Sequence, residues 1–359
     1  MTEIITIFGT YTKSLPHVDA KSEGIYVYKL NTETGALTHQ LTTTGIDNPA
    51  FLTIAPSQQF LYSVNREGGD TGGVSAFSLD PATGAMVFIN EQVRTNGGPC
   101  HVMVDATERY LYAANYGEGS VEVWPIEDDG SLGSASDFHQ HEGSSVNKAR
   151  QEAAHAHSIN LDPGNRFAYV PDLGMDKVMI YNLDLDKGKL IPNEQPFIET
   201  TPGAGPRHLD FHPNGKVLYV INELGNTVTA YNFDAESGHL SDFQTVPTLP
   251  ADWDGENTTA DIHVHPNGKF VYGSNRGHDS IAVYAVDEAT GKLTAQGHVS
   301  TQGKTPRNFG IDPTGKVLIV ANQDTSNAAT YFIDQQTGAL TPTGVVVDVP
   351  TSVCIKMIG

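Results

Sequence analysis

The chain has 359 residues, with 21 Lys and Arg against 42 Asp and Glu and a formal net charge of −21. A surface this acidic repels phosphate backbones and argues against a nucleic-acid partner. No run of 18 apolar residues is present, and residues 1–13 show neither the basic nor the apolar part of a secretory leader. The two cysteines, Cys100 and Cys354, form no disulfide framework and no metal motif, so the expectation is a cytoplasmic protein that neither crosses nor binds a membrane.

In chain order, the first element is an extended run over 4–11. The first clear turn after it is Thr34-Gly35-Ala36-Leu37. That turn recurs with its glycine at Gly84, Gly130, Gly188, Gly238, Gly291 and Gly338, which gives seven copies spaced 46 to 58 residues apart. The clearest unit is 206–240. It reads as four short runs, A to D, separated by Pro213-Asn214-Gly215-Lys216, Gly225-Asn226 and Glu236-Ser237-Gly238-His239. Runs of five to eight residues between Asn-Gly and Pro-x-Gly signals form antiparallel meanders. A period near fifty with four strands per copy is the pattern of a β-propeller, so the expected fold is all-β and seven-bladed.

The turn between A and B occurs six times, at 56–59, 106–109, 163–166, 213–216, 266–269 and 313–316. The seventh is missing because the chain opens on a B strand and finishes on an apolar run, 352–358. If that run is strand A of the first blade, the ring closes by pairing its two ends, which removes the open ends of the seven-unit stack. The expected blades are 352–358 with 4–44, then 50–95, 100–142, 157–200, 207–248, 260–300 and 307–345, all in one domain spanning 1–359. One connection, 143–156, is longer and more polar than its counterparts, as functional loops on rigid scaffolds often are.

Strand A lies nearest the axis, so the starts of A and the ends of B share one rim of the central channel. That rim collects Arg66, Arg207, Arg276 and Arg307 from a chain poor in basic residues, which suggests a pocket for an anion. Arginine binds carboxylate or phosphate through a planar fork and stays charged. His157 and Glu223 are the titratable pair there, and either one is a candidate to accept a proton from water. His101, Asn308 and Gln323 lie at the same rim, and Arg150 and Gln151 of the long loop are placed to close over it. Each of these residues also has a structural reading: Arg207 and Glu223 can form an ion pair within one blade, the repeated Asn at the B ends cap bends, and His212 and His265 belong to the far rim. His155-x-His157 with His208 lacks a carboxylate motif, so no metal is expected.

Several segments resemble the seven-bladed propeller lactonase family, the 6-phosphogluconolactonase type that also includes carboxymuconate cyclase. They are Asn147-Lys148-Ala149-Arg150-Gln151 with His155-Ala156-His157, Gly205-Pro206-Arg207-His208, Asn222-Glu223-Leu224, Ser274-Asn275-Arg276-Gly277 and Thr305-Pro306-Arg307-Asn308. The resemblance implies a catalytic group of His157, Arg207, Glu223 and Arg276. Arg307, His101, Arg150, Gln151, Asn308, Gln323 and Arg66 are expected to contact substrate. It also implies a hydrolase without metal or other cofactor, acting on a small anionic lactone in the pentose phosphate pathway as a monomer or weak homo-oligomer. The departure from the family pattern is Ala153-Ala154, where members often carry a proline before the first histidine. Two alternatives accompany this expectation: a cycloisomerase or lactonase for another carboxylated lactone, and a non-enzymatic interaction platform.

Overall fold

A computed structural model describes residues 2–67, 71–94 and 98–359, with the side chains of 66 and 67 also outside the described set. The chain forms seven four-stranded antiparallel sheets arranged as a ring, with no helix among the described residues. The first blade holds β1 (Glu3–Thr10), β2 (Gly24–Asn31) and β3 (Leu37–Thr44), and the second β4 (Leu52–Ile54), β5 (Phe60–Glu67), β6 (Thr71–Leu79) and β7 (Met86–Arg94). The third holds β8 (Pro99–Val104) to β11 (Asp137–Gln140), and the fourth β12 (Asn160–Leu161) to β15 (Lys189–Glu199). The fifth runs from β16 (Pro206–Phe211) through β17 (Val217–Asn222) to β19 (Leu240–Pro247), the sixth from β20 (Thr258–Val264) through β21 (Phe270–Arg276) to β23 (Leu293–Ser300), and the seventh from β24 (Pro306–Ile311) through β25 (Val317–Asn322) to β27 (Leu340–Asp348). β28 (Ser352–Ile358) pairs with β1, Ile5 opposite Ile358 and Phe8 opposite Ile355, so the two ends of the chain close the ring as the repeat count requires.

The repeated glycine turn has a physical cause. All seven glycines, from Gly35 to Gly338, have φ between 62° and 82°, a region that costs other residues steric strain. Four of their carbonyls accept a hydroxyl from a buried tyrosine of the preceding blade: Tyr62 to Gly130 (3.0 Å), Tyr169 to Gly238 (2.7 Å), Tyr219 to Gly291 (2.8 Å) and Tyr272 to Gly338 (2.9 Å). Thr330 does the same for Gly35 at 2.9 Å and Ser136 for Gly188 at 2.8 Å. The apolar residues of facing blades pack between these bonds, for example Tyr219, Ile221 and Val228 against Ile262, Val271 and Tyr284.

One innermost strand is shorter than expected. Pairing in the fourth blade starts at Asn160, and the His157 N–H donates to Pro171 O (2.9 Å) beside an isolated bridge at Ala156. Here polar groups bond across blades instead. Ser158 Oγ donates to Arg207 O at 2.9 Å, and Cys100 Sγ lies 3.1 Å from His157 O.

Candidate active site

Five of the innermost strands are irregular at the rim where chemistry was expected, among them β28, in which Cys354 pairs with Gly9 and Ser352 with Thr10 so that Val353 is extra. In β16 Pro206 pairs with Asn222 and His208 with Ile221, which leaves Arg207 as an extra residue. Cys100 in β8 and Arg307 in β24 are extra in the same way, and in β20 the shift falls at Ala260 and Asp261. A bulge of this kind re-aims a side chain out of the pleat. Arg207 and Arg307 therefore face the axial cavity, while Asn308, after Arg307, turns into the ring.

That cavity measures about 680 Å³ and is lined by Tyr116, Arg150, His157, Glu223, Arg276 and Arg307, with Thr258, Thr305, Gln323 and Asp324 around its mouth. It narrows to a floor that includes Tyr11, Phe51, Arg207 and His208. Glu223 is at its centre and buried. Its Oε2 lies 2.9 Å from Arg207 Nε, 3.0 Å from Arg276 Nη2 and 3.8 Å from His157 Nε2, and its Oε1 lies 2.6 Å from Arg150 Nη2. Burial alone would raise the Glu223 carboxyl. Arg276, Arg207 and Arg150 outweigh burial and hold the carboxyl far below the usual carboxylate range. For His157, burial first and then Arg207, His208 and Arg307 push the imidazole well below its ordinary range, so it is neutral at pH 7.

The arginines are fixed by backbone as well. Arg207 Nη1 donates to Ala260 O (2.5 Å) and Arg276 Nη2 to Thr259 O (2.6 Å). Arg150 reaches Glu223 from the long connection and also lies 3.4 Å from the Tyr116 hydroxyl. That connection is clamped by Asp176, whose carboxylate accepts from Gln151 Nε2 (2.7 Å), Ser145 Oγ (2.5 Å), Gly203 N (2.6 Å) and Gly205 N (2.7 Å). One side chain thus ties the loop carrying Arg150 to the approach of the strand carrying Arg207.

The structure gathers His157, Arg207, Glu223, Arg276, Arg150, Arg307 and Gln323 at this cavity. Three other expected substrate contacts lie elsewhere. His101 is buried against the rings of Phe51 and His208, with centroids at 4.2 and 5.6 Å. Asn308 is buried between Asp261, to which it donates, and Ile355 N, from which it accepts at 2.7 Å. Gln151 is fully buried in the Asp176 clamp. His101 and Asn308 follow bulged residues, and so point away from the cavity. The Arg66 side chain lies outside the described residues. Tyr116 was missed; its ring stacks on His155 (4.6 Å) and meets His157 edge-on (5.2 Å). Its place at the end of a B strand was the available signal. Among the described residues no three His, Cys, Asp or Glu side chains gather as metal ligands would.

A catalytic-type group of guanidiniums, imidazole and carboxylate at one mouth of a seven-bladed propeller matches a known class. Residues 5–357 match the family model described as "Lactonase, 7-bladed beta-propeller", and the chain belongs to that family. It is 38% identical over 309 residues to a 6-phosphogluconolactonase of Bacillus subtilis, covering 86% of this chain and 85% of that one. A crystal structure from Bacteroides fragilis, provisionally named a 6-phosphogluconolactonase, shares 36% identity and a TM-score of 0.92, covering 100% of this chain and 98% of that one. The periplasmic gluconolactonase of Pseudomonas aeruginosa shares 30% identity and a TM-score of 0.92, covering 99% of each.

Proposed function

We propose that this lactonase is a cytoplasmic 6-phosphogluconolactonase, which opens 6-phospho-D-glucono-1,5-lactone to 6-phosphogluconate. The observation that carries the reading is the charge of the cavity. Four guanidiniums meet there, with Glu223 and Asp324 the carboxylates that line it among the described residues, in a protein of net charge −21. Three of the four are committed to Glu223. Arg307 has no carboxylate partner within ion-pair distance among the described residues, and its guanidinium lies 6.0 Å from the Tyr11 ring. It is the group to which we assign the substrate phosphate.

In this mechanism neutral His157 accepts a proton as water attacks the lactone carbonyl carbon. The carbonyl oxygen takes up negative charge facing Arg207 and Arg276. Collapse then breaks the bond to the ring oxygen, and the imidazolium returns its proton to that oxygen. Glu223, held ionised by its arginines, is not an acid at neutral pH. From 3.8 Å it favours the imidazolium that forms on His157. A positioned general base contributes roughly 10²–10⁴ in rate, and an oxyanion donor roughly 10²–10³.

A second reading, an unphosphorylated sugar lactone as substrate, is favoured by the likeness to the periplasmic gluconolactonase. The two are separated by comparing kcat/KM for 6-phosphogluconolactone and glucono-1,5-lactone with the same purified protein. At least tenfold preference for the phosphorylated lactone is expected, and preference for the other overturns the leading substrate.

A further inference from the structure

Beneath the cavity floor lies a buried polar chain that the proposed reaction does not use. Asp261, in the irregular stretch of β20, gathers donors from three blades. His208 Nδ1 lies 2.7 Å from its Oδ1, His263 Nε2 lies 3.0 Å from its Oδ2, and Asn308 Nδ2 also donates to Oδ2. The other nitrogen of His208, Nε2, lies 3.1 Å from Arg207 Nη1.

The protonation pattern follows from what each group can do. A guanidinium only donates and a carboxylate only accepts. His208 must therefore carry its hydrogen on Nδ1 and offer a bare Nε2 to Arg207. Burial, and then the nearby Arg207, lower its basicity to about 4, which keeps the ring neutral. Burial alone would raise the Asp261 carboxyl. His263 and His208 outweigh it and keep the group ionised. His263, although burial opposes it, is pushed up by Asp261 and Asp210 and stays charged.

We propose that Asp261 is a positioning residue for Arg207: by fixing the Nδ1–H tautomer of His208, it supplies the acceptor that aims the guanidinium. Arg207 then has Nε on Glu223 and both Nη1 hydrogens on Ala260 O and His208 Nε2. Its Nη2 is left for the developing oxyanion. A hydrogen-bond partner behind a functional group commonly sets orientation in this way.

The test is Asp261→Asn. Its single carbonyl oxygen is claimed by two donors, His263 and Asn308, so its amide faces His208 and donates to Nδ1. The ring must then move its hydrogen to Nε2, where it opposes the Arg207 N–H. Two arms read this out. Nitrogen-15 NMR of labelled histidine should show His208 as the Nδ1–H tautomer in the parent and Nε2–H in the variant, with the Arg207 Nε–H resonance displaced. Hydrolysis of whichever lactone the parent accepts should lose about tenfold or more in kcat, with a smaller change in KM.

The activity arm rests on the function proposed above, but the tautomer arm does not. A parent that hydrolyses no lactone sinks the function alone, and the NMR result still decides the relay. An Nε2–H tautomer in the parent, or a tautomer switch with the Arg207 resonance and kcat unmoved, overturns the proposal. Should Asp261→Asn not fold, His208→Gln and His208→Met in the parent decide it: Gln must retain at least tenfold more kcat than Met, and equal losses overturn the relay.

Discussion

The two rims of the fifth blade put histidine to opposite uses within five residues. At the far rim, His212 Nε2 donates to Gly268 O of the next blade at 2.7 Å, and its Nδ1 accepts from Asn214 N at 3.1 Å. The sixth blade repeats this with His265 on Gly315 O (2.8 Å) and Asn267 N (3.1 Å). At the near rim, His208 has no such counterpart in the neighbouring blades; its partners are Arg207 and Asp261. A contact that recurs from blade to blade holds the ring together. A contact made once belongs to the cavity. The near rim can therefore depart from the repeat because the far rim and the interior do not.

This contrast can be tested from its strongest side. His157→Ala should lower kcat by roughly 10²–10⁴ with little change in melting temperature; a variant as fast as the parent would remove His157 from the reaction. Next, Arg307→Met should raise KM for the phosphorylated lactone about tenfold or more and lower the preference over the unphosphorylated one. An unchanged preference would place the phosphate elsewhere. At the far rim, His212→Ala should cost about 1–3 kcal/mol in urea unfolding by leaving the Gly268 carbonyl unpaired, with kcat of the folded protein unaltered. Loss of kcat without loss of stability would erase the distinction between the rims. Between the rims, Tyr169→Phe should cost about 1 kcal/mol.

The smallest effect is a displacement with pH. His157 in the folded protein resists protonation, so the acid limb of kcat/KM should fall below the ordinary histidine pKa of 6.5. The unfolded chain takes up that proton near 6.5 and the folded one does not, so stability should decline as pH drops below that value. An acid limb at 6.5 or above would mean that another group sets it.

Much of this was legible in the sequence because it is periodic. Seven glycine turns against six A–B turns predict the closed ring. Arg207 and Glu223, sixteen positions apart, meet at 2.9 Å because strands A and B return to one rim. What stayed hidden was which of two adjacent residues faces the axis. Alternation along a strand puts neighbours on opposite faces, but one extra residue resets that count. His101 and Asn308 were assigned to the cavity although the bulges at Cys100 and Arg307 turn them inward. The prolines Pro99, Pro206 and Pro306, each just before a bulged residue, were the local hint, since proline cannot join the regular ladder. The Asp176 clamp was hidden because its donors come from segments nearly thirty residues away on either side.

The pairing of β28 with β1 also has a consequence in time. It joins Ile5 to Ile358, and so requires the longest loop closure in the fold. Contacts this distant in sequence form slowly. Asn308, which holds Asp261 on one side, accepts from Ile355 of that closing strand on the other. During refolding, blades two to seven should acquire their strands early, while the layer beneath Arg207 sets only when the last strand docks. Catalytic competence should therefore appear in the slowest refolding phase, after most of the β-structure has formed.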